Sequence, residues 1–249
     1  EVNSGGGTLD LTNVDLLNNS TASSPGNGGG LHITGSDDST ITGGTALGNV
    51  AASEGGALWN GSGTMTVDGT VIDGNTASGA GADNGGGGIF NAGGTLNVLN
   101  ATITNNIADG ASGSGGGILN DMGSLSVSDS ELSGNTSMRA GGGIEVNSGG
   151  GTLDLTNVDL LNNSTAAAPG NGGGLHITGS DDSTITGGTA SGNTASLEGG
   201  ALWNGSGTMT VDGTVIDGNT ASGAGADNGG GGIFNAGGTL NVLNATITN

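Results

Sequence analysis

The sequence predicts an all-β chain wound as a parallel β-solenoid, with three short strands in each coil of about 26–31 residues. Three observations carry this reading. A glycine turn followed by an aliphatic residue begins at Gly28, Gly55, Gly86, Gly115, Gly141, Gly172, Gly199 and Gly230, in steps of 27, 31, 29, 26, 31, 27 and 31 residues. Each step holds short apolar–polar alternations bounded by turn residues, the pattern of strands with one buried face. Finally, Glu1-Val2-Asn3-Ser4 returns as Glu145-Val146-Asn147-Ser148, a shift of 144 residues or five coils.

Within a coil the first strand follows the glycines and places Leu31, Leu58, Ile89, Ile118 or Ile144 in the core. The middle strand turns Leu9/Leu11, Met65/Val67, Leu96/Val98 and Leu125/Val127 inward, and Thr8/Asp10, Thr64/Thr66, Thr95/Asn97 and Ser124/Ser126 outward. The last strand contributes Leu16, Ile72, Ile103 and Leu132. The coil that begins at Gly28 is irregular, with strands expected around Leu31-His32-Ile33 and Thr40-Ile41-Thr42.

Three residues after the last inward aliphatic stands an asparagine: Asn19, Asn75, Asn106, Asn135, Asn163 and Asn219. Stacked in register these form an amide ladder, and asparagine also tolerates a left-handed turn. Gly44 and Gly188 occupy that place in the irregular coils, so the ladder is expected to break there. Residues 1–105 and 145–249 differ only at Ser23/Ala167, Ser24/Ala168, Leu47/Ser191, Val50/Thr194, Ala52/Ser196 and Ser53/Leu197, all expected in loops. The chain therefore reads as one elongated domain over 1–249, a window of a longer array. One unit spans 1–144 and 145–249 is a partial second copy.

Two short motifs support a resemblance. Gly-Gly-Ala-Leu at 55–58 and 199–202, with Gly-Gly-Gly-Ile/Leu elsewhere, resembles the GGA[ILV] half of the chlamydial polymorphic outer-membrane protein repeat. Leu/Ile-x-x-Asn resembles its FxxN half, with an aliphatic in place of Phe. The resemblance implies a right-handed parallel β-helix of the kind found in autotransporter passengers and adhesins, and hence an extracellular or cell-surface location.

Composition narrows the partners. Glycine supplies 60 of 249 residues, yet at fixed turn positions, which separates this chain from glycine-rich disorder. Against 22 acids there is one base, Arg139, for a net charge of −21, which excludes a basic nucleic-acid or anionic-membrane surface. With no cysteine there is neither a disulfide nor a thiolate metal site. No run of the sequence is suited to membrane insertion.

The residue after each first-strand aliphatic should point outward. Up the stack this column reads His32, Trp59, Phe90, Leu119, Glu145, His176, Trp203 and Phe234, and it holds every tryptophan and phenylalanine of the chain. Its apolar members and histidines are either covered by overhanging loops or form a candidate interface stripe, for lateral packing, a protein partner or a stacked sugar. Asp37-Asp38 and Asp181-Asp182 sit in turns that could donate oxygens to Ca2+, although no cofactor is required. Gly5-Gly6-Gly7-Thr8-Leu9-Asp10 is a weak match to a calcium-binding nonapeptide. A catalytic role is not expected, because the one basic residue available, Arg139, lies in a glycine-rich loop and Asp68 and Asp73 read as solvated. The expected function is a structural extracellular fibre, stalk or adhesin shaft on a microbial surface, with self-association or a glycan or cell-surface partner. The alternatives are a polysaccharide- or ice-binding face, and, further off, a carbohydrate-active enzyme on a β-helix.

Overall fold

The computed structural model describes residues 1–2, 8–23, 25–147, 151–179 and 182–249. All regular structure among them is β, in four parallel sheets that run the length of the stack: two of nine strands and two of eight. Each sheet takes one strand from each successive coil, so every strand is hydrogen-bonded to its equivalents one coil away. At about 4.8 Å per coil, nine coils extend roughly 40 Å.

One coil shows the pattern. Leu58–Asn60 is followed by Thr64–Asp68, Val71–Asp73 and Thr76–Ala77. The last of these is a fourth strand, beyond the three expected. It has only two residues, and its inward position holds Ala51, Ala77, Ala108, Ser137 or Ala195, too small to register as an apolar period. The other inward positions match expectation. Leu58, Met65, Val67, Ile72, Ile89, Leu96, Val98, Ile103, Ile118, Val127, Leu132 and Ile144 are fully buried in one continuous column.

The turns explain the glycines. Gly86 has φ +62°, and its seven counterparts from Gly28 to Gly230 lie between +58° and +64°. That left-handed conformation is strained for residues with a Cβ. The two corners that flank the third strand are also left-handed and are filled by Asn, Asp or Gly: Asn13, Gly43, Gly69, Asn100 and Asp129 at one, Asn18, Gly48, Gly74, Asn105 and Gly134 at the other. The left-handed asparagines are thus corner residues, Asn18, Asn105 and Asn162 standing just before the ladder, and none is a ladder amide.

The irregular coil is less irregular than its sequence suggests. Ser39–Thr42 is its second strand, pairing Ile41 with Leu11 and Val67. Thr45–Leu47 is its third, with Ala46 inward. This register corrects the placement of two sequence differences. Leu47/Ser191 and Val50/Thr194 lie in strands, not loops, and face outward; Leu47 and Val50 are exposed. Ser24 lies outside the described residues.

Candidate functional site

Among the described residues the aromatic column gathers large side chains, all the rings included, outside the core. Its residues do project from the first sheet away from the column of Leu58, Ile89 and Ile118, and they pair in register: His32 with Trp59, Trp59 with Phe90, Phe90 with Leu119, Leu119 with Glu145, Glu145 with His176, His176 with Trp203 and Trp203 with Phe234. Parallel pairing at one coil spacing lets rings stack. Trp59 and Phe90 lie 6.2 Å apart between centroids and within 1° of coplanar, and Trp203 and Phe234 repeat this at 6.3 Å and 9°. His32 meets Trp59 edge-on at 4.5 Å, and His176 meets Trp203 at 4.2 Å.

An open stripe, however, is not what the structure shows. Phe90 is 3% exposed, Leu119 and Glu145 are fully buried, and His176 is 3% exposed. His32, Trp59, Trp203 and Phe234 are half-buried, Phe234 in the last coil. The column therefore behaves as a second, satellite core. Glu145 is tolerated in it because its Oε2 lies 2.6 Å from His176 Nδ1.

Beside the column, the loop between Thr76–Ala77 and Ile89–Asn91 is fastened to coils on both sides. Its Asn84 donates to Glu54 Oε1 (2.6 Å), while Glu54 Oε2 accepts from Trp59 Nε1 (3.0 Å). Two coils further on, Asn147 Nδ2 donates to Asp83 Oδ1 (3.3 Å). Arg139 Nη1 donates to Ala82 O (2.9 Å) and Ser114 Oγ (3.0 Å). The loop thus spans from the coil of Trp59 to the coil of Glu145, with Phe90 and Leu119 between. The second copy repeats the lower fastening: Trp203 Nε1 donates to Glu198 Oε2 (3.0 Å), and Asn228 donates to Glu198 Oε1 (3.0 Å). Beside the upper fastening, burial pushes the Asp121 carboxyl above its ordinary range; a hydrogen bond from Asn147 opposes the rise and Asp83 adds to it.

The asparagine ladder is continuous. Asn19, Asn49, Asn75, Asn106, Asn135, Asn163, Asn193 and Asn219 form one row, each Nδ2 bonded to the next Oδ1 at 2.8–3.1 Å. The expected breaks at Gly44 and Gly188 do not occur, because the inward residues that set the spacing are Ala46 and Ala190 rather than Ile41 and Ile185. A second row went unread. Asn60 bonds Asn91 (2.7 Å), Asn91 bonds Asn120 (2.6 Å) and Asn204 bonds Asn235 (2.7 Å), each also reaching a glycine carbonyl three residues on where the first sheet ends.

Among the described residues no cluster of three or more His, Cys, Asp or Glu is placed to hold a metal ion. Asp181 and Gly5–Gly7 lie outside them, and Asp182 Oδ1 accepts from the Thr208 backbone amide (3.3 Å). Asp68 and Asp73 spend their carboxylates between coils, on Asn100 (2.8 Å), and on Thr104 (2.7 Å) and Asn105 (2.8 Å). No helix among the described residues is long and apolar enough to cross a membrane. Comparison with known proteins returns no matching family model, no matching curated protein and no matching solved structure.

Proposed function

We propose that this chain is the shaft of an extracellular fibre, stalk or adhesin, and that it supplies length. The supporting observation is the join between the two copies. Leu125 pairs with Leu153, Val127 with Leu155 and Leu132 with Leu160 in the same parallel register that operates inside a copy. A 144-residue period made of whole coils adds reach without altering any contact of its neighbours. Among the described residues the copies differ only at positions that do not enter the buried column. The cell-surface setting rests on the likeness of the glycine and Leu/Ile-x-x-Asn motifs to polymorphic outer-membrane protein repeats. Self-association between shafts is part of the proposal, with the net charge of −21 opposing it at low ionic strength.

The test is a length series. Chains carrying one, two and three further 144-residue units, imaged by electron microscopy, should form rods that lengthen by roughly 24 Å per unit at constant width. Particles that grow in width instead, or collapse to globules, would reject the reading.

A polysaccharide-binding face is the second reading. It is favoured by the outward file of the second sheet, where Thr40, Thr66, Asn97, Ser126, Asp154, Thr184 and Thr210 stand in register, one per coil. A glycan array with the intact chain tests it, and silence across neutral and acidic glycans removes it.

A further inference from the structure

Asparagine stands directly before glycine at six places: Asn27, Asn60, Asn84, Asn171, Asn204 and Asn228. Such a pair carries its own nucleophile. The glycine amide nitrogen, unhindered by a Cβ, can attack the preceding side-chain amide carbon and close a five-membered imide, provided that it can turn out of its own hydrogen bonding. In four of the six it is committed. Gly28 N donates to Glu54 O (2.8 Å), Gly61 N to Ile33 O (2.7 Å), Gly172 N to Glu198 O (2.9 Å) and Gly205 N to Ile177 O (2.8 Å).

The other two differ. The bridge between Gly85 and Ser114 is made by Ser114 N on Asn84 O (3.0 Å) and by Gly86 N on Ser114 O (3.0 Å), and it passes over Gly85 N. Among the described residues no acceptor is bonded to Gly85 N, nor to Gly229 N in the second copy. Asn84 and Asn228 are half-buried, within reach of water, whereas Asn60 and Asn204 are buried in the second amide row. Asn84 Oδ1 accepts from Gly81 N (2.9 Å), a donor placed where negative charge grows when the side-chain carbonyl is attacked. Asn228 repeats this with Gly225 N (3.1 Å).

We propose that Asn84 and Asn228 are self-modifying sites, each converted to aspartate or isoaspartate by the glycine that follows it. The bond from Gly85 N to Asn84 Cγ forms and the Cγ–Nδ2 bond breaks. Nδ2 leaves as ammonia, taking up the proton that Gly85 N gives away. Water, the one co-reactant, then opens the imide at either carbonyl. The product inverts a contact of the loop: Nδ2 donates to Glu54 Oε1 (2.6 Å), and a carboxylate in its place faces that carboxylate instead. The reaction therefore loosens the loop where it meets Glu54, and its counterpart where Asn228 meets Glu198.

The experiment ages the intact chain in 18O-water at neutral pH, beside a sample unfolded in guanidinium, and reads the heavy-oxygen mass gain in peptic peptides. The sequences around Asn84 and Asn228 are identical and are read together, as are those around Asn60 and Asn204; those around Asn27 and Asn171 differ at Ser24/Ala168. In the folded chain the Asn84/Asn228 peptide should gain mass at least about tenfold faster than the rest, because each of the others must first give up a backbone bond in the stack. In guanidinium that preference should vanish. Asn84→Gln, which keeps an amide donor but must close a larger ring, should leave only the Asn228 share of the signal. Asn84→Asp carries one product from the outset, and its residue-84 amide, bonded to Gly81 O in the parent (3.2 Å), should exchange with D2O at least about tenfold faster. A folded chain that reacts equally at all six places, or that spares Asn84 and Asn228 while the unfolded chain reacts, overturns the sites. Exchange in Asn84→Asp equal to the parent's overturns the loosening.

Discussion

Asn106 is fully buried, and its amide serves three coils. Its Oδ1 accepts from the Asn75 backbone amide (3.0 Å) and from Asn75 Nδ2 (2.8 Å), while its own Nδ2 reaches Ile72 O (2.9 Å) and Asn135 Oδ1 (3.0 Å). A buried polar group costs little when satisfied and much when orphaned. Asn106→Ala strands two donors on Asn75 and the Ile72 carbonyl together. Urea unfolding followed by circular dichroism should show a loss of about 2–4 kcal/mol. Gly69 makes the opposite case. A Cβ there meets nothing within 4 Å, and its φ of +63° is the conformation that Asn100 and Asp129 adopt at the same corner one and two coils on. Gly69→Asn should therefore change stability by no more than about 0.5 kcal/mol in the same assay. The ladder was legible in sequence because asparagine at fixed spacing is conspicuous. Asn49 and Asn193 escaped because Ala46 and Ala190 are small, and the more prominent Ile41 and Ile185 set the wrong origin for the count.

At the scale of the element, strands of two to five residues hold because, inside the stack, each one is paired on both edges. The inward side chains alternate faithfully, so the second-sheet strands and their cores follow directly from the sequence. The fourth sheet does not, since Thr76–Ala77 and its equivalents bury an alanine, serine or threonine and leave no apolar signal. The glycine turn is what lets neighbouring coils approach. A Cβ on Gly87 would lie 2.4 Å from Gly116 O and 2.5 Å from Ile107 N, backbone atoms that cannot step aside. Gly87→Ala must therefore push one coil off the next. Its melting midpoint should fall by more than that of Asn106→Ala, with proteolytic nicking concentrated between residues 78 and 88. A melt unchanged from the parent would mean that coil spacing yields more readily than a rigid hydrogen-bonded stack allows. The loop bonds belong to a class that periodicity does not reveal. Asp83 and Asn147 are 64 residues apart, and only the stack brings them within hydrogen-bonding distance.

For the molecule as a whole, cooperativity runs along one axis. Apart from the bonds of the loop 79–84 to Arg139 and Asn147, each coil touches its two neighbours, so stability is close to a sum of coil terms and junction terms, and a missing period costs junctions without creating a fault. Excising residues 97–240 joins Leu96 to Asn241 in phase. The inward Leu96 is then followed by outward Asn241 and inward Val242, as in the parent, where Leu96 precedes Asn97 and Val98. Excising 97–239 leaves one more residue, sets Leu240 outward directly after Leu96 and turns Asn241 toward the core, because strand side chains alternate with a period of two. The first product should keep the parent's ellipticity per residue and a single transition, at a midpoint lowered by the five lost coils. The second should lose the spliced coil, seen as a reduced β signal and a broadened melt. Equal behaviour of the two products would show that the coils tolerate a one-residue slip, and the register that makes length an additive property of this chain would no longer explain its 144-residue period.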